Sequence, residues 1–136
     1  MTQITGSCRC GEVTYTSTAA PVFARICWCR TCQRYAAGMG TVNVVFPSDT
    51  FKINGHLRDD VSTADSGNVI HRGFCPLCGT HMFSEAEVRP HLVGVRAGTL
   101  DDQSIVRPTA NIWASQAPPW AILDDTLERF EGQPPA

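Results

Sequence analysis

The sequence has no apolar run long enough to cross a membrane. Its best stretch, Val42 to Phe46, is interrupted by Asn43 and is far shorter than the ~20 residues that a bilayer requires. The opening residues, MTQITG, also lack the charged and apolar regions of a secretory signal. We therefore expect no membrane partner, no export, and a place in the reducing cytoplasm.

Neither sign of charge is in large excess. Eleven basic and thirteen acidic residues give a formal charge of -2, whereas proteins that bind nucleic acid electrostatically normally carry a strong basic excess. An apolar fraction of 43% over 136 residues is that of an ordinary globular protein. We expect one domain over residues 1–136 and no nucleic-acid partner.

Cysteine is absent from most of the chain. All seven cysteines fall in three short motifs: CRC at 8–10, CWCRTC at 27–32 and CPLC at 75–78. Buried apolar thiols do not cluster in this way, and an odd number fits a closed disulfide framework poorly. In a reducing compartment such clusters are typical of metal ligands or catalytic groups, and converging thiolates favour zinc.

Seven thiols divide naturally into four and three. In one division, Cys8 and Cys10 join Cys75 and Cys78 in a closed structural zinc site, and the central motif binds a second zinc through the three ligands Cys27, Cys29 and Cys32. In the other, Cys29 and Cys32 pair with Cys75 and Cys78 in a zinc ribbon. That ribbon has an intervening loop well beyond the usual ~15–20 residues and isolates Cys27. We favour the first division.

The charge of a three-thiolate site indicates its chemistry. Zinc with three thiolates keeps one net negative charge, so it is a poor Lewis acid for water, but it can hold a further thiol as thiolate at neutral pH. The site therefore favours thiol chemistry over hydrolysis, and the first hypothesis is an enzyme that acts on a thiol. A non-catalytic zinc module that binds a protein partner is the alternative, and a thiol-redox protein is the third.

Short alternating segments separated by turn signals predict an all-β fold. A turn or two of helix is expected at 32–37, because glycines follow it. Asn54-Gly55 predicts a hairpin between its flanking strands, and the Cys75–Gly79 knuckle is expected at the tip of another. The terminal segment 131–136 should fray. The predicted strands span residues 12–17, 22–26, 41–46, 51–53, 57–62, 69–74, 80–83, 91–98 and 108–114.

The three cysteine motifs, with GSCRCGEV at 6–13, CWCRTCQ at 27–33 and RGFCPLCGT at 72–80, resemble those of the glutathione-dependent formaldehyde-activating enzyme family. AGTLDD at 97–102 and the late Ile112-Trp113 and Trp120 extend the resemblance, whose wider group includes centromere protein V. It implies an all-β, zinc-bound, Mss4-like fold of short antiparallel strands. It also implies a structural zinc on Cys8, Cys10, Cys75 and Cys78 and a catalytic zinc on Cys27, Cys29 and Cys32. The implied reaction joins glutathione to formaldehyde and belongs with the carbon–sulfur lyases.

Two positions depart from the family's common pattern. Trp28 stands where the family often has His inside the central motif, and Asn111 stands where a His often precedes the late Ile-Trp. We expect Trp28 to face the mouth of the site and Trp113 and Trp120 to lie in the core.

Other side chains have weaker signals. The four histidines show no ligand spacing, and we expect structural or surface roles for them, with His81 the strongest candidate for a supporting role near the site. Four arginines lie close in sequence to the thiols and could recognise a substrate carboxylate: Arg25, Arg30, Arg34 and Arg72.

Overall fold

The structure is a computed structural model that describes residues 3–135. Strands dominate it, as the sequence predicts, and the helix α1 has only six residues. Within the described residues, no helix is long and apolar enough to cross a membrane. The elements are β1 (Ile4–Ser7), β2 (Thr14–Ser17), β3 (Phe23–Cys27), α1 (Arg30–Tyr35), β4 (Thr41–Pro47), β5 (Phe51–Asn54), β6 (Arg58–Thr63), β7 (Val69–Phe74), β8 (His81–Ala86), β9 (Leu92–Arg96), β10 (Ala110–Ile112) and β11 (Glu128–Arg129).

The strands form two sheets. One has three strands in the order β1-β2-β5, and the other has eight in the order β11-β10-β3-β4-β9-β8-β7-β6. All pairings are antiparallel except those of β10, which runs parallel to both β3 and β11. The all-β, Mss4-like fold class is confirmed. The sequence did not predict β1 and β11, which are short strands at the edges of the small and the large sheet.

The main core lies between the two sheets. From the small sheet, Tyr15 stacks on Phe51 with ring centroids 5.1 Å apart, and both rings meet Phe83 of the large sheet edge-on. Val44 and Val95, which pair across β4 and β9, are fully buried in the same cluster. Because side chains alternate along a strand, the neighbours of these residues must point to the opposite face of the large sheet.

The hairpin predicted across Asn54-Gly55 is wrong. β5 pairs with β2 in the small sheet, whereas β6 pairs with β7 in the large one. Gly55 does turn the chain, with φ at +107°, but it packs so closely on the Glu12 backbone that the chain leaves the small sheet there. The turn signal was correct, but a local motif does not say which sheet the next strand joins.

The hairpin predicted at the third cysteine motif is confirmed. β7 and β8 pair antiparallel, with the motif at the connection between them. Gly79 takes a φ of +78°, and its N–H donates to the Cys75 carbonyl at 2.9 Å. This tight turn holds the two thiols of the motif together.

The C-terminal segment does not fray as predicted. The Trp113 N–H donates to Gly132 O at 3.1 Å, and the Ser115 hydroxyl donates to Glu131 O at 2.6 Å. Trp113 Nε1 also donates to Gln133 Oε1, and Pro134 is buried. Only Ala136 of the predicted frayed segment lies outside the described residues.

Candidate metal centre and cavity

Four cysteines meet where the small sheet approaches the β7–β8 hairpin. Cys8 and Cys10 lie on the connection between β1 and β2, and Cys75 and Cys78 lie at the hairpin turn. The Cys8 and Cys10 sulfurs are 3.6 Å apart, and those of Cys10 and Cys75 are 3.7 Å apart. Cys8 Sγ also accepts from the Val13 N–H at 3.3 Å.

This donor set fits a tetrahedral zinc. At a Zn–S length of ~2.3 Å, tetrahedral geometry separates neighbouring sulfurs by about 3.8 Å, close to the two distances above. The sulfurs of all four residues lie within 4.8 Å of one another. Hydrogen bonds from Thr80 lower the pKa of Cys78 to about 5, which favours the thiolate that a metal needs.

The other three cysteines meet at the start of α1. Cys27 ends β3, Cys29 caps the helix, and Cys32 lies in its first turn; all three are buried, with sulfurs within 4.8 Å. The cap is made by sulfur: Cys29 Sγ accepts from the Cys32 N–H at 3.3 Å. The helix begins at Arg30, two residues before the predicted position, because this cap satisfies a free N–H there.

A buried amide fixes the loop that carries these thiols. Gln33 is 4% exposed, and its Nε2 donates to the carbonyls of Trp28 at 2.7 Å and Gln116 at 2.8 Å. Gln33 Oε1 accepts from Arg30 Nη1. The motif is thereby tied to the short helix at Ala114–Gln116.

The two positions that depart from the family's common pattern touch each other. Trp28 Nε1 donates to Asn111 Oδ1 at 2.9 Å, and Asn111 Nδ2 donates to Asp124 O at 3.3 Å. Trp28 is 3% exposed, so the prediction that it faces the mouth of the site is wrong. The indole is buried because its one donor finds an acceptor on the neighbouring strand.

Hydrogen bonds among the three thiols, with one nearby positive charge, favour Cys32 as the thiolate. Hydrogen bonds from Cys27 and Cys29 are the main causes that lower the pKa of Cys32 to about 2, with Arg96 adding to them. The same competition raises the pKa of Cys27 and, together with burial, that of Cys29. Arg96 is held in place by Asn43, whose Oδ1 accepts from Nη1.

His81 supports this arginine from the other side. Its Nδ1 accepts from Arg96 Nη2 at 3.2 Å, and its ring lies 4.1 Å from that of Tyr35. Burial, followed by the charges of Arg96 and Arg72, lowers the pKa of His81 to about 4. In the described residues, no histidine joins either thiol set.

The three thiols open into a cavity of about 180 Å³ on the outer face of the large sheet. Alternate residues of the strands form its floor, such as Phe23, Arg25 and Cys27 of β3. Gly94 lies on this floor beside Ser84 Oγ, which occupies the space that a side chain at 94 would fill. The four-thiol set lies outside this cavity.

Four arginines line the cavity. Four arginines were predicted from sequence as candidates to recognise a substrate carboxylate. Of these, Arg25 and Arg72 line the cavity, whereas Arg30 and Arg34 are exposed and lie outside it. Arg89 and Arg96 were missed because they are far from the cysteines in sequence. The alternation of the predicted strand 91–98 was the available signal for Arg96. In the structure, Arg96 lies opposite Asn43 in the pairing of β4 and β9.

Of the two late tryptophans, only Trp120 departs from the expectation of a core position. Trp113 is half-buried against the cluster formed by the three cysteines, Ala110 and Ile112, and it also lines the cavity; its backbone is left-handed with φ at +54°. Trp120 is 65% exposed in the loop that follows, next to two prolines. Proline has no N–H to pair with a neighbouring strand, so Pro118 and Pro119 disfavour a strand that would place the Trp120 ring in the core.

The fold and the two thiol sets define a cysteine-rich all-β protein. The model of the family described as "Glutathione-dependent formaldehyde-activating enzyme" matches residues 3–116, and the chain belongs to this family. The fold is also that of a crystal structure of a Rhodobacter sphaeroides protein, a structural-genomics target. That structure matches with a TM-score of 0.55 and 20% identity over 71% of this chain and 87% of the other. No curated protein matches this chain significantly.

Proposed function

We propose that the chain is a zinc-dependent enzyme of the carbon–sulfur lyase type that acts on the adduct of glutathione and a small aldehyde such as formaldehyde. It would hold two zinc ions, one on Cys8, Cys10, Cys75 and Cys78 and one on Cys27, Cys29 and Cys32. The proposal takes the chain as one domain that works in the cytoplasm, where its thiols stay reduced. Family membership supports the reaction class.

One observation carries the proposal. Of the two thiol sets, only the three-cysteine set lines the cavity on the outer face of the sheet, whereas the four-cysteine set is complete for a tetrahedral ion and lies elsewhere. Three protein ligands leave a position free, as in catalytic sites, and four close the coordination, as in structural sites.

The reaction balances without a redox partner. The thiol S–H adds across the aldehyde C=O: a C–S bond forms, the C=O π bond breaks, and the proton passes from sulfur to oxygen. The reverse reaction breaks the same C–S bond. Cys27, Cys29 and Cys32 would hold the zinc, which would supply a position where a thiol is kept as thiolate at neutral pH.

The surrounding residues set the charge of this position. Three thiolates and one zinc would leave a net negative charge, and Arg96 lies close enough to stabilise Cys32 as thiolate. Asn43 and His81 orient the guanidinium through hydrogen bonds. The positive charge of Arg96 would therefore partly offset the negative charge that a thiolate ligand meets at this site.

Cobalt substitution tests the proposal. Tetrahedral cobalt–thiolate bands would count the sites, and we expect two, one of which changes its visible spectrum when glutathione is added. Cys29→Ser should keep the fold but abolish both the spectral response and turnover with formaldehyde. Two cobalt sites that ignore glutathione would disprove the enzyme, and full turnover by a folded Cys29→Ser would disprove that the site of Cys27, Cys29 and Cys32 is catalytic.

A non-catalytic module that binds a protein partner is the alternative. It is favoured by the exposure of Trp120 and of Ile122, which is 90% exposed in the same loop. Large apolar side chains exposed together can mark an interface. This role predicts that both metals are inert to small thiols, so the cobalt titration separates the two functions.

A further inference from the structure

A continuous row of hydrogen bonds crosses the large sheet beside the three thiols. Arg96 of β9 donates to His81 Nδ1 of β8 at 3.2 Å and, on its other side, to Asn43 Oδ1 of β4. Asn43 Nδ2 in turn donates to Thr41 Oγ1 at 3.1 Å. Asn43 and Thr41 are two residues apart on β4, so their side chains lie on one face of the strand. These four side chains form the polar row.

The direction of the bonds in the polar row is fixed by its guanidinium. Arginine can only donate hydrogen bonds, so the Asn43 atom that faces Arg96 must be the amide oxygen. The amide nitrogen then faces Thr41 and donates to its hydroxyl oxygen. Because the oxygen accepts with a lone pair, the single hydroxyl proton of Thr41 remains available to a further acceptor.

That further acceptor is the sulfur of Cys32. The Thr41 hydroxyl and the Cys32 thiol are hydrogen-bond partners. Thr41 also lies opposite Cys27 in the pairing of β3 and β4, and the sulfurs of Cys27 and Cys32 are within 4.8 Å of each other. Facing side chains of an antiparallel pair have Cβ atoms about 4.5–5.5 Å apart, so the sheet itself places the hydroxyl beside the thiols. The polar row therefore ends on a sulfur that would bind the metal.

Burial makes this last bond important for a metal site. Thr41 is 5% exposed, so water is poorly placed to replace its hydroxyl as a donor. An O–H that donates to a thiolate takes up part of the negative charge and fixes the direction of the sulfur. A metal ligand must be both deprotonated and correctly oriented, so the loss of such a donor weakens metal binding.

We propose that Thr41 is a positioning residue of the three-thiol site, which orients Cys32 as a metal ligand by donating a hydrogen bond to its sulfur. Asn43 and Arg96 act in this role by fixing the direction of the Thr41 hydroxyl. The inference rests on the proposed function and adds to it residues that act on the metal only through one of its ligands. Thr41 and Asn43 carry no charge and bind no metal, so a search of the sequence for ligands, acids and bases passes over both.

Variants of nearly the same shape test whether the hydroxyl acts on the metal site. Thr41→Val removes the hydroxyl, and Thr41→Ser keeps one. Thr50→Val is the matched control, because Thr50 Oγ1 is buried without a hydrogen-bond partner within residues 3–135 and Thr50 lies outside the cavity. Competition with a chelator measures the affinity for each of the two zinc ions, and the visible spectrum of the cobalt protein reports on the sulfur ligands. The four-thiol set is an internal control in every variant.

We expect Thr41→Val to bind one of its two zinc ions about tenfold to a hundredfold more weakly, which is the effect of removing a hydrogen-bond partner of a metal ligand. The other ion should be bound as in the wild type, which would show that the variant is folded. The sulfur-to-cobalt charge-transfer bands should move to longer wavelength, because a sulfur without its donor releases electrons more readily. Thr41→Ser should restore both the affinity and the bands, and Thr50→Val should match the wild type.

The direction of the polar row supplies a second test. Asn43→Asp keeps an acceptor for Arg96, but a carboxylate cannot donate, so the Thr41 hydroxyl would turn towards it and away from Cys32. Thr41→Val should therefore weaken zinc binding by no more than about twofold in the Asn43→Asp background. A full effect of Thr41→Val in that background would overturn the role of Asn43.

The positioning role would be overturned if Thr41→Val kept the affinity and the bands of the wild type, if Thr41→Ser were equally impaired, or if Thr50→Val weakened zinc binding as much. Its failure is separable from that of the proposed function. Cobalt protein that responds to glutathione, with an unchanged zinc affinity in Thr41→Val, removes only the positioning role. Weakened zinc and shifted bands in Thr41→Val, in a chain whose cobalt ignores glutathione, remove only the lyase.

Discussion

Two histidines of one hairpin occupy opposite electrostatic environments. His81 of β8 is packed between Tyr35 and Phe74 and faces two arginines, so its charged form is disfavoured. His71 of β7 is held between two carboxylates, with Nδ1 2.8 Å from Asp59 and Nε2 2.7 Å from Glu87. The Glu87 contact is the largest cause that raises the pKa of His71.

We predict that the two histidines titrate on opposite sides of their ordinary pKa of 6.5. In an NMR pH titration, His81 should titrate near pH 4 and His71 above 6.5. Between pH 4 and pH 6.5, the folded state binds fewer protons at His81 than the unfolded state does. His81 should therefore destabilise the fold as the pH falls from 6.5 towards 4. His71 should stabilise it fully below 6.5 and lose that contribution as pH rises through its folded pKa.

The variant His81→Asn supplies the control for this titration. Its amide oxygen can accept from Arg96 in place of Nδ1 but cannot gain a proton, so urea unfolding should show a shallower loss of stability between pH 6.5 and 4 than in the wild type. Comparing the two proteins cancels the acid sensitivity of the thiols. Equal slopes would show that His81 is not protonated differently on folding.

Gln33 is the residue whose loss should most disturb the three-thiol loop. Gln33→Leu would leave the carbonyls of Trp28 and Gln116 without their donor, at a cost of about 1–3 kcal/mol in unfolding free energy. Urea unfolding of the zinc-loaded protein would measure it. Gln103→Leu is the matched control at an exposed position and should change the unfolding free energy by less than about 0.5 kcal/mol. An equally small effect of Gln33→Leu would show that the hydrogen bonds of Gln33 do not stabilise the three-thiol loop.

At the scale of the element, local patterns predicted the strands but not their partners. Alternation and turn residues identified the segments from β2 to β10, because both signals act over a few neighbouring residues. The pairing of β5 with β2 depends on contacts almost forty residues apart in the chain, and Asn54-Gly55 contains no information on them. β1 and β11 are short, and each is ordered by its pairing with a neighbouring strand, β2 and β10 respectively. The residues of β1 and β11 do not by themselves indicate this pairing.

Gly55 marks the point where the chain changes sheet. A Cβ there would meet the Glu12 carbonyl oxygen at 2.0 Å, and a backbone atom cannot rotate away as a side chain can. Gly67 also has a positive φ, at +88°, but its Cβ would meet open space.

Gly55→Ala should therefore lower the unfolding free energy by several kcal/mol, whereas Gly67→Ala should cost only the ~1–2 kcal/mol of a left-handed alanine. Chemical denaturation of both variants measures the difference. Similar losses in the two variants would mean that the approach of β5 to the Glu12 segment does not constrain the fold.

Across the whole molecule, the grouping of the cysteines was predictable, whereas two of the four cavity arginines, Arg89 and Arg96, were not. Three short motifs with several cysteines each indicate a metal site, because few other roles bring thiols together. Arg89 and Arg96 reach the cavity only because β4, β8 and β9 lie side by side, and that order follows from the complete sheet. The division of the seven cysteines into two sets was thus readable from sequence, but the charge of the cavity beside one set required the fold.

The two thiol sets should also differ in what they do for the molecule. Cys10 and Cys75 are 65 residues apart, and a metal on their set would fasten the β1–β2 connection to the β7–β8 hairpin. The other set spans only residues 27 to 32, within one loop that hydrogen bonds already hold. A bound metal stabilises the folded state most where its ligands are brought together only by folding.

Cys75→Ser should therefore lower the thermal midpoint by tens of degrees or prevent folding, whereas Cys29→Ser should lower it by a few degrees. Metal analysis of the purified proteins should find two zinc ions in the wild type and one in Cys29→Ser, retained on the four-thiol set. The same substitution at two buried thiols makes each variant the control for the other. If Cys29→Ser proved the more damaging to the midpoint, the three-thiol set would be the structural one, and the assignment of the two sites would have to be exchanged.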